Sequence, residues 1–160
     1  MEIRRYRPSD LETLKTITAI CFDGVSIDQN IEKLYGIIRG KDWRWRKVRH
    51  IDDDAAANAD GILVAEVDGQ TVGYVTTRVD KDAGIGGIPN FAVLPEFQQK
   101  GIGRRLLEEA VAYFAAAGLS YARIETLDQN DVGAHFYPDF GFREVARQIH
   151  YIMPITQDDP

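Results

Sequence analysis

The chain has 160 residues, 44% of them hydrophobic, with 25 acidic side chains against 19 basic ones and a formal charge of −6. That length holds one core of ordinary size and is too short for two. The acidic balance, with a pI near 5.0, argues against a general nucleic-acid binder, because affinity for a phosphate backbone needs a basic face. The opening MEIRRYRPSD has no apolar leader core, and no stretch reaches the roughly eighteen apolar residues of a bilayer span. A cytoplasmic protein without a membrane partner is therefore expected. Cys21, the only cysteine, stands between Ile20 and Phe22 and reads as a small buried hydrophobe rather than a nucleophile.

Residues 2–7, EIRRYR, suit a first strand. Pro8 and Ser9 open a helix in which Glu12 stands three residues after Ser9, the spacing of a capping box, and Leu11, Leu14, Ile17 and Cys21 carry it to about Phe22. Ile31, Leu34, Ile37 and Ile38 predict a second helix that stops near Gly40. Residues 41–60 are the least legible. Lys41, Arg44, Arg46, Lys47 and Arg49 interleave there with Trp43 and Trp45, ahead of Asp52, Asp53 and Asp54. The plain reading is a solvated helix or loop whose tryptophans dock on the body; the functional one is a substrate rim. An RNA contact is the weaker choice, since the three aspartates largely cancel the charge.

From Gly61 the period becomes that of strands. ILVAEV and TVGYVTTRV flank Asp68-Gly69, a tight hairpin signal. Residues 81–87 form a connection, and residues 88–93, IPNFAV, a further strand in which Pro89 marks an edge or a bulge. Ile102, Leu106, Ala110, Val111 and Phe114 share one face of a strong helix ended by Gly118. YARIETL is a strand, Asn130 to Tyr137 a short helix, and GFREVARQIHYIMPI a closing strand. This predicts an α/β (α+β) fold: a mixed, mostly antiparallel sheet of six to seven strands flanked by about four helices, in the order β-α-α-β-β-β-α-β-α-β.

The strongest chemical signal is Gln98-Gln99-Lys100-Gly101-Ile102-Gly103-Arg104, between a strand and that strong helix. A helix start offers unpaired N–H groups and the positive end of the dipole, and glycines let the backbone approach a pyrophosphate closely. A dinucleotide fingerprint needs a third glycine where Leu106 stands, and no Gly-Lys-Ser/Thr run makes a P-loop. The turn and its surroundings resemble the GCN5-related N-acetyltransferase (GNAT) superfamily. Gln98, Gly101 and Gly103 meet its Gln/Arg-x-x-Gly-x-Gly/Ala signature, and Asn130, Gly133, Tyr137 and Gly141-Phe142 resemble its second motif. The close resemblance covers residues 61–142, and it implies one N-acetyltransferase domain over residues 1–160 that uses acetyl-CoA or coenzyme A without a metal. It further implies that the backbone of Phe91, Ala92 and Val93 pairs with pantetheine, that the N–H groups from Gln99 through Lys100, Gly101, Ile102 and Gly103 to Arg104 hold the pyrophosphate, and that Asn130 contacts the pantetheine arm. The plain alternative for Asn130 is a helix N-cap, compatible with a free amide N–H₂.

Acetyl transfer to an amine needs a neutral nucleophile, a donor for the oxyanion and an acid for the thiolate. A phenol of pKa near 10 is protonated at neutral pH and lies only about 1.5 units above a thiol, so a placed tyrosine can donate as the C–S bond breaks. Tyr137 is the candidate acid: Pro138 disfavours helical backbone at the residue before it, so the helix is expected to end there and leave the ring at its edge. Its alternative is a core aromatic beside Phe136, Phe140 and Phe142. The Val93 N–H is the expected oxyanion donor. Many superfamily members carry a glutamate base near the start of the strand at residues 88–93, where this chain has Pro89 and Asn90. Glu125 resembles the base of the branch that acetylates ribosomal-protein N-termini; against that stands a solvent-facing carboxylate paired with Arg123, and a water chain is a third option. His50, His135 and His150 are too scattered for a metal site. The reading is an N-acetyltransferase acting by direct attack on acetyl-CoA, on a small-molecule or protein amine, with a homodimer left open. A catalytically weak CoA-binding sensor is the alternative.

Overall fold

The computed structural model describes residues 1–156. Strand β1 (Glu2–Arg5) leads through a 3-10 turn into helices α1 (Leu11–Cys21), α2 (Ile27–Tyr35) and α3 (Trp43–Asn58). Strands β2 (Leu63–Val67), β3 (Gln70–Val75), β4 (Arg78–Asp80), β5 (Ile85–Ile88) and β6 (Phe91–Val93) follow, then α4 (Ile102–Ala116), β7 (Tyr121–Ile124) and α5 (Asp131–Phe140). A four-stranded antiparallel sheet runs β1-β2-β3-β6, and a three-stranded one runs β4-β5-β7, where only β5 and β7 are parallel. The mixed, mostly antiparallel architecture is as expected.

The two sheets are one bent surface. β3 and β4 lie on one stretch of chain, β5 and β6 on another, and both stretches break at the same level. At the break the Thr76 N–H still donates to the Asn90 carbonyl at 2.8 Å, while the Asn90 N–H donates to the Thr76 hydroxyl at 3.0 Å instead of to backbone. Pro89, which has no N–H to give a ladder, stands beside that irregularity, as a strand proline should. At the β2–β3 hairpin, Asp68 (φ 50°) and Gly69 (φ 78°) take the left-handed pair of a type I′ turn.

Leu14 and Ile17 of α1 pack on one face of the larger sheet, and Leu106, Leu107 and Ala110 of α4 on the other, around Val64, Val72, Tyr74 and Val75. Removing these apolar surfaces from water, at about 25 cal/mol per Å², is what holds the helices to the sheet. Phe114 packs so closely on β5 that a Cβ at Gly86 would lie 2.4 Å from its ring.

Several sequence expectations are corrected. No Ser9–Glu12 box opens α1; instead Asp10 fastens the 3-10 turn ahead of it, its carboxylate accepting from the Arg7 N–H at 2.7 Å and from both terminal nitrogens of Arg4. α2 ends at Tyr35, where Gly36 turns left-handed (φ 76°), so Ile37 and Ile38 lie outside it and are exposed. Residues 43–58 form a third helix before the main sheet. Val111 is exposed and Leu107 takes its expected place in the core. α5 continues past Pro138 to Phe140; proline forfeits one bond near the end of a short helix, and the Tyr137 carbonyl closes that end by accepting from Gly141 and Phe142 N–H groups. Finally, residues 141–156 form no strand.

Candidate active site

The break in the sheet creates a fork. β5 and β7 pair in register as far as Ile88 opposite Ile124, and beyond that point β6 pairs with β3 alone. Asn90 and Leu94 turn their backbone groups toward β3, the first accepting from Thr76 N–H and the second donating to the Val72 carbonyl at 2.8 Å. Alternation along the strand therefore aims the N–H groups of Phe91 and Val93 into the fork, and that of Ala92 toward β3. The Val93 carbonyl accepts from the Gln98 side chain at 2.9 Å and from the Cys21 thiol at 3.3 Å. Gln98, the first residue of the signature, is thus the strut tying the turn to β6. Cys21 is held inert, since burial pushes its thiol up to about 12.

From this strut the chain passes Gln99 (φ 59°) and Gly101 (φ 82°), both left-handed, before α4 begins. The first helical bond is Arg105 N–H to the Gly101 carbonyl at 3.1 Å, so the N–H groups of Gly101, Ile102, Gly103 and Arg104 precede the helix ladder and point outward at its positive end. A Cβ at Gly103 would stand 3.2 Å from the Phe91 ring and 3.4 Å from Phe136. The two glycines therefore differ: Gly101 supplies the backbone conformation, Gly103 the close approach. Lys100 and Arg104 lean their cations over Phe97 and Phe140. Unpaired N–H groups beside a strand edge suit the pyrophosphate and amide-bearing arm of coenzyme A.

Phe91 carries the site across to α5. Its ring stacks on Phe136, centroids 5.8 Å apart, and lies 6.4 Å from Tyr137, which meets Phe142 edge-on at 6.1 Å. Burial in this aromatic wall pushes the Tyr137 hydroxyl up to about 12. It hydrogen-bonds to no other described residue. Gly133 lies beneath the ring, where a Cβ would approach the tyrosine to 2.9 Å. Asn130 caps α5 by accepting from Gly133 N–H at 3.1 Å, and one of its amide hydrogens reaches the Thr126 hydroxyl at 2.8 Å, leaving one rather than two for another partner.

Glu125 follows the last paired residue of β7, level with Pro89. Its carboxylate takes the Arg123 guanidinium at 2.6 Å and its side chain is 77% exposed. With Arg78, Asp80, Pro89 and Arg123 it lines a groove of about 440 Å³, the size of a small-ligand site.

Sequence reasoning missed the polar core behind the fork. Lys47 donates to the Asn90 side-chain carbonyl at 2.7 Å; Asn90 and Thr76 both donate to one oxygen of Asp54, and Arg78 to the other. Lys47 also sits 4.0 Å from the Phe22 ring centroid. Of the interleaved segment, Trp43 is buried beneath Arg44, while exposed Trp45 lies between Lys41 and Arg49. No three His, Cys, Asp or Glu side chains among the described residues group to hold a metal, and no helix there is long and apolar enough to cross a membrane.

A glycine turn with unpaired N–H groups beside an open strand edge, with a buried tyrosine alongside, has the features that would suit an acyl-CoA. Comparison with known proteins agrees. The family model described as Acetyltransferase (GNAT) family matches residues 28–142. An uncharacterized N-acetyltransferase of Archaeoglobus fulgidus is 30% identical over 122 residues, covering 71% of this chain and 73% of that one. The PaiA N-acetyltransferase of Thermoplasma acidophilum, crystallised with coenzyme A, shares the fold with a TM-score of 0.71 at 24% identity over 89% of each chain. A GNAT family acetyltransferase of Brucella melitensis in complex with acetyl-CoA gives a TM-score of 0.61 at 27% identity, covering 89% of this chain and 82% of that one. The chain belongs to the GNAT acetyltransferase family. Acetyl-CoA is its cosubstrate, and the reaction it carries out is transfer of the acetyl group to an amine.

Proposed function

We propose that this N-acetyltransferase holds the pyrophosphate of acetyl-CoA on the N–H groups of Gly101 to Arg104, lays the pantetheine arm along the open edge of β6, and acts on an amine more acidic than lysine. Gln99 and Lys100 shape the turn through their backbone, Gln98 anchors it, and the free amide hydrogen of Asn130 faces the arm. The Val93 N–H supports the oxyanion as the amine attacks the acetyl carbon. Tyr137 then gives its proton to the departing thiolate; a hydroxyl held up near 12 stays protonated throughout the neutral range, and the transfer, about 3.5 units uphill to a thiol of pKa near 8.5 in water, relies on the same apolar wall raising the basicity of the departing thiolate as well.

The acceptor enters from the groove of Arg78, Asp80 and Glu125. In the strand positions next to the fork, Pro89 has no titratable group and the Asn90 amide is consumed by Lys47 and Asp54. Glu125 is the carboxylate at the parting of the strands, and its exposed ion pair with Arg123, worth about 0–1 kcal/mol, is readily exchanged for a substrate ammonium. So light a base suits an α-amine of pKa near 7.7 to 8.0, of which about 10% is neutral at pH 7, better than lysine, of which about 0.04% is.

The observation that carries this reading is the fork itself, with Val93 N–H on its open edge and Tyr137 against its wall. Replacing Tyr137 by Phe tests it. A fall in kcat of about 10² or more is expected, with acetyl-CoA affinity retained; full activity would make Tyr137 a packing aromatic only. Mass-spectrometric assay of an amine panel with acetyl-CoA identifies the acceptor, and no turnover on any amine would favour a CoA-binding sensor.

A further inference from the structure

Strand register lays out the floor of the groove beside the fork. Gly87 stands opposite Arg78 on one side and opposite Arg123 on the other, so three neighbouring strands set Arg78, Gly87 and Arg123 in one row. Residues level with one another across a sheet share a face. Gly86, one step along, faces Phe114 of α4, and alternation turns this row to the opposite, solvent side. Neighbouring strands lie about 4.8 Å apart, which puts the two arginine Cα atoms about 10 Å from each other. Between them is a residue without a side chain: a Cβ built on Gly87 would meet only the Arg78 Cβ, at 3.8 Å. The gap opens into the groove of about 440 Å³ that both arginines line.

Each guanidinium is oriented and largely unspent. Arg78 donates one N–H to the buried Asp54 carboxylate at 2.7 Å, and Arg123 donates one to Glu125 at 2.6 Å. An arginine has five such donors, and neither makes a second hydrogen bond among the described residues. A held, planar fork of donors is the geometry that takes a carboxylate by two hydrogen bonds. Asp80, at the next level of β4, is occupied by the Ala83 N–H at 3.0 Å. Glu125, two residues beyond Arg123, lies about 7 Å nearer the fork.

We infer that the acceptor is a short peptide whose carboxylate seats between Arg78 and Arg123 over Gly87, with its α-amine held by Glu125 at the fork; the placement rests on the proposed entry of the amine by this groove. Such a zwitterion replaces the Arg123–Glu125 pair charge for charge. Its ammonium takes the Glu125 carboxylate, and its carboxylate takes the guanidinium so released. Two residues of extended chain span about 7 Å, the distance from the arginine row to the level of Glu125. A free amino acid, whose amine and carboxylate share one carbon, is too short to reach both.

Calorimetry on the CoA-bound enzyme tests the clamp apart from turnover, with dialanine, dialanine amide and alanyl-aspartyl amide as probes. Dialanine should bind at least about tenfold more tightly than its amide, the scale of one charge-assisted pair. Gly87→Leu, which fills the gap, and Arg123→Gln, at an exposed position, should each bring that ratio close to one. A gain shown by alanyl-aspartyl amide as well would assign the same clamp to an acidic second side chain. Equal affinity for all three probes, or a preference that survives both variants, overturns the proposal. Clamped binding of dialanine without acetylation by mass spectrometry would uphold the clamp and count against the chemistry at the fork. Acetylation of peptides with no preference for a carboxylate would uphold the chemistry and overturn the clamp.

Discussion

The two halves of the bent sheet are built by different rules. The β1-β2-β3-β6 half is covered on both faces, by α1 and by α4, and Val64, Val72, Tyr74 and Val75 have no exposure at all. The β4-β5-β7 half is covered by α4 on the face carrying Gly86; its other face, with Arg78, Arg123 and Glu125, is a solvent groove, and its last strand has a bare edge. A doubly covered half can hold a strand edge in a fixed place, as positioning a thioester requires. The singly covered half keeps surface to offer to an acceptor. The joint between them is the Thr76–Asn90 irregularity, and the fork opens from it.

The harshest way to break this division is at the glycine turn, the proposed cofactor site, which the Gln98 strut fastens to the rigid half. Gly101→Val/Gly103→Val forces a β-branched residue into φ near +82° and sets a Cβ 3.2 Å from the Phe91 ring. The expected result is a rise in the Kd for acetyl-CoA of at least about 10²-fold by calorimetry, with the fold retained. An unchanged affinity would move the phosphate site away from this turn.

The same division explains what the sequence reveals. The hairpin at Asp68-Gly69, the glycine turn and the face of α4 are legible because each rests on chemistry local to a few residues. The third helix is not, although its inward positions, Trp43, Lys47, Ile51 and Asp54, fall at helical spacing. Two of the four are charged, and burying a charge makes sense only with partners such as Asn90 and Thr76, which are distant in sequence. The Tyr137 ring is legible as a motif position, but Pro138 misplaces the end of its helix because the backbone cap from Gly141 and Phe142 outweighs one lost bond. The alternating pattern after Phe142 is real in the sequence, yet residues 141–156 form no strand, because period alone does not supply a neighbour to pair with.

The polar joint gives a second way to probe the comparison, with a smaller effect. Burial lowers Lys47 from 10.5 to about 8, against the opposing pull of Asp28 and Asp54. Between those values the unfolded chain holds a proton that the folded chain has released, so stability contributed here rises with pH from about 8 to 10.5. Over that window the gain is about 3 kcal/mol, from 2.5 units at about 1.4 kcal/mol each. Lys47→Met removes the titration and leaves the Asn90 carbonyl without its donor, a loss that does not vary with pH. Urea unfolding at both ends of the window should therefore show the wild type gaining on the variant by about 3 kcal/mol as pH rises. A constant difference would mean that the ammonium is not held away from water, and that the joint is wetter than the rigid half it borders.

The mildest effect is expected at Glu125, on the open half, where the ion pair with Arg123 is solvated and the carboxylate lies at the parting of the strands. If the rigid half alone performs the chemistry, Glu125→Gln changes little. If the open half supplies the base, the variant loses about tenfold in kcat/KM at pH 7, where most of the acceptor amine is protonated and needs a carboxylate to take its proton. Raising the pH toward 9 brings an amine of pKa near 8 to about 90% neutral without help, so the loss should shrink to within about twofold. A pH profile of kcat/KM for both proteins, on the acceptor found by the amine panel, decides the matter. A deficit that stays constant to pH 9, where the amine is already neutral, would assign Glu125 to a structural or acceptor-binding role rather than to deprotonation. No deficit at any pH would return the carboxylate to its ion pair with Arg123 and leave proton removal to water at the mouth of the fork.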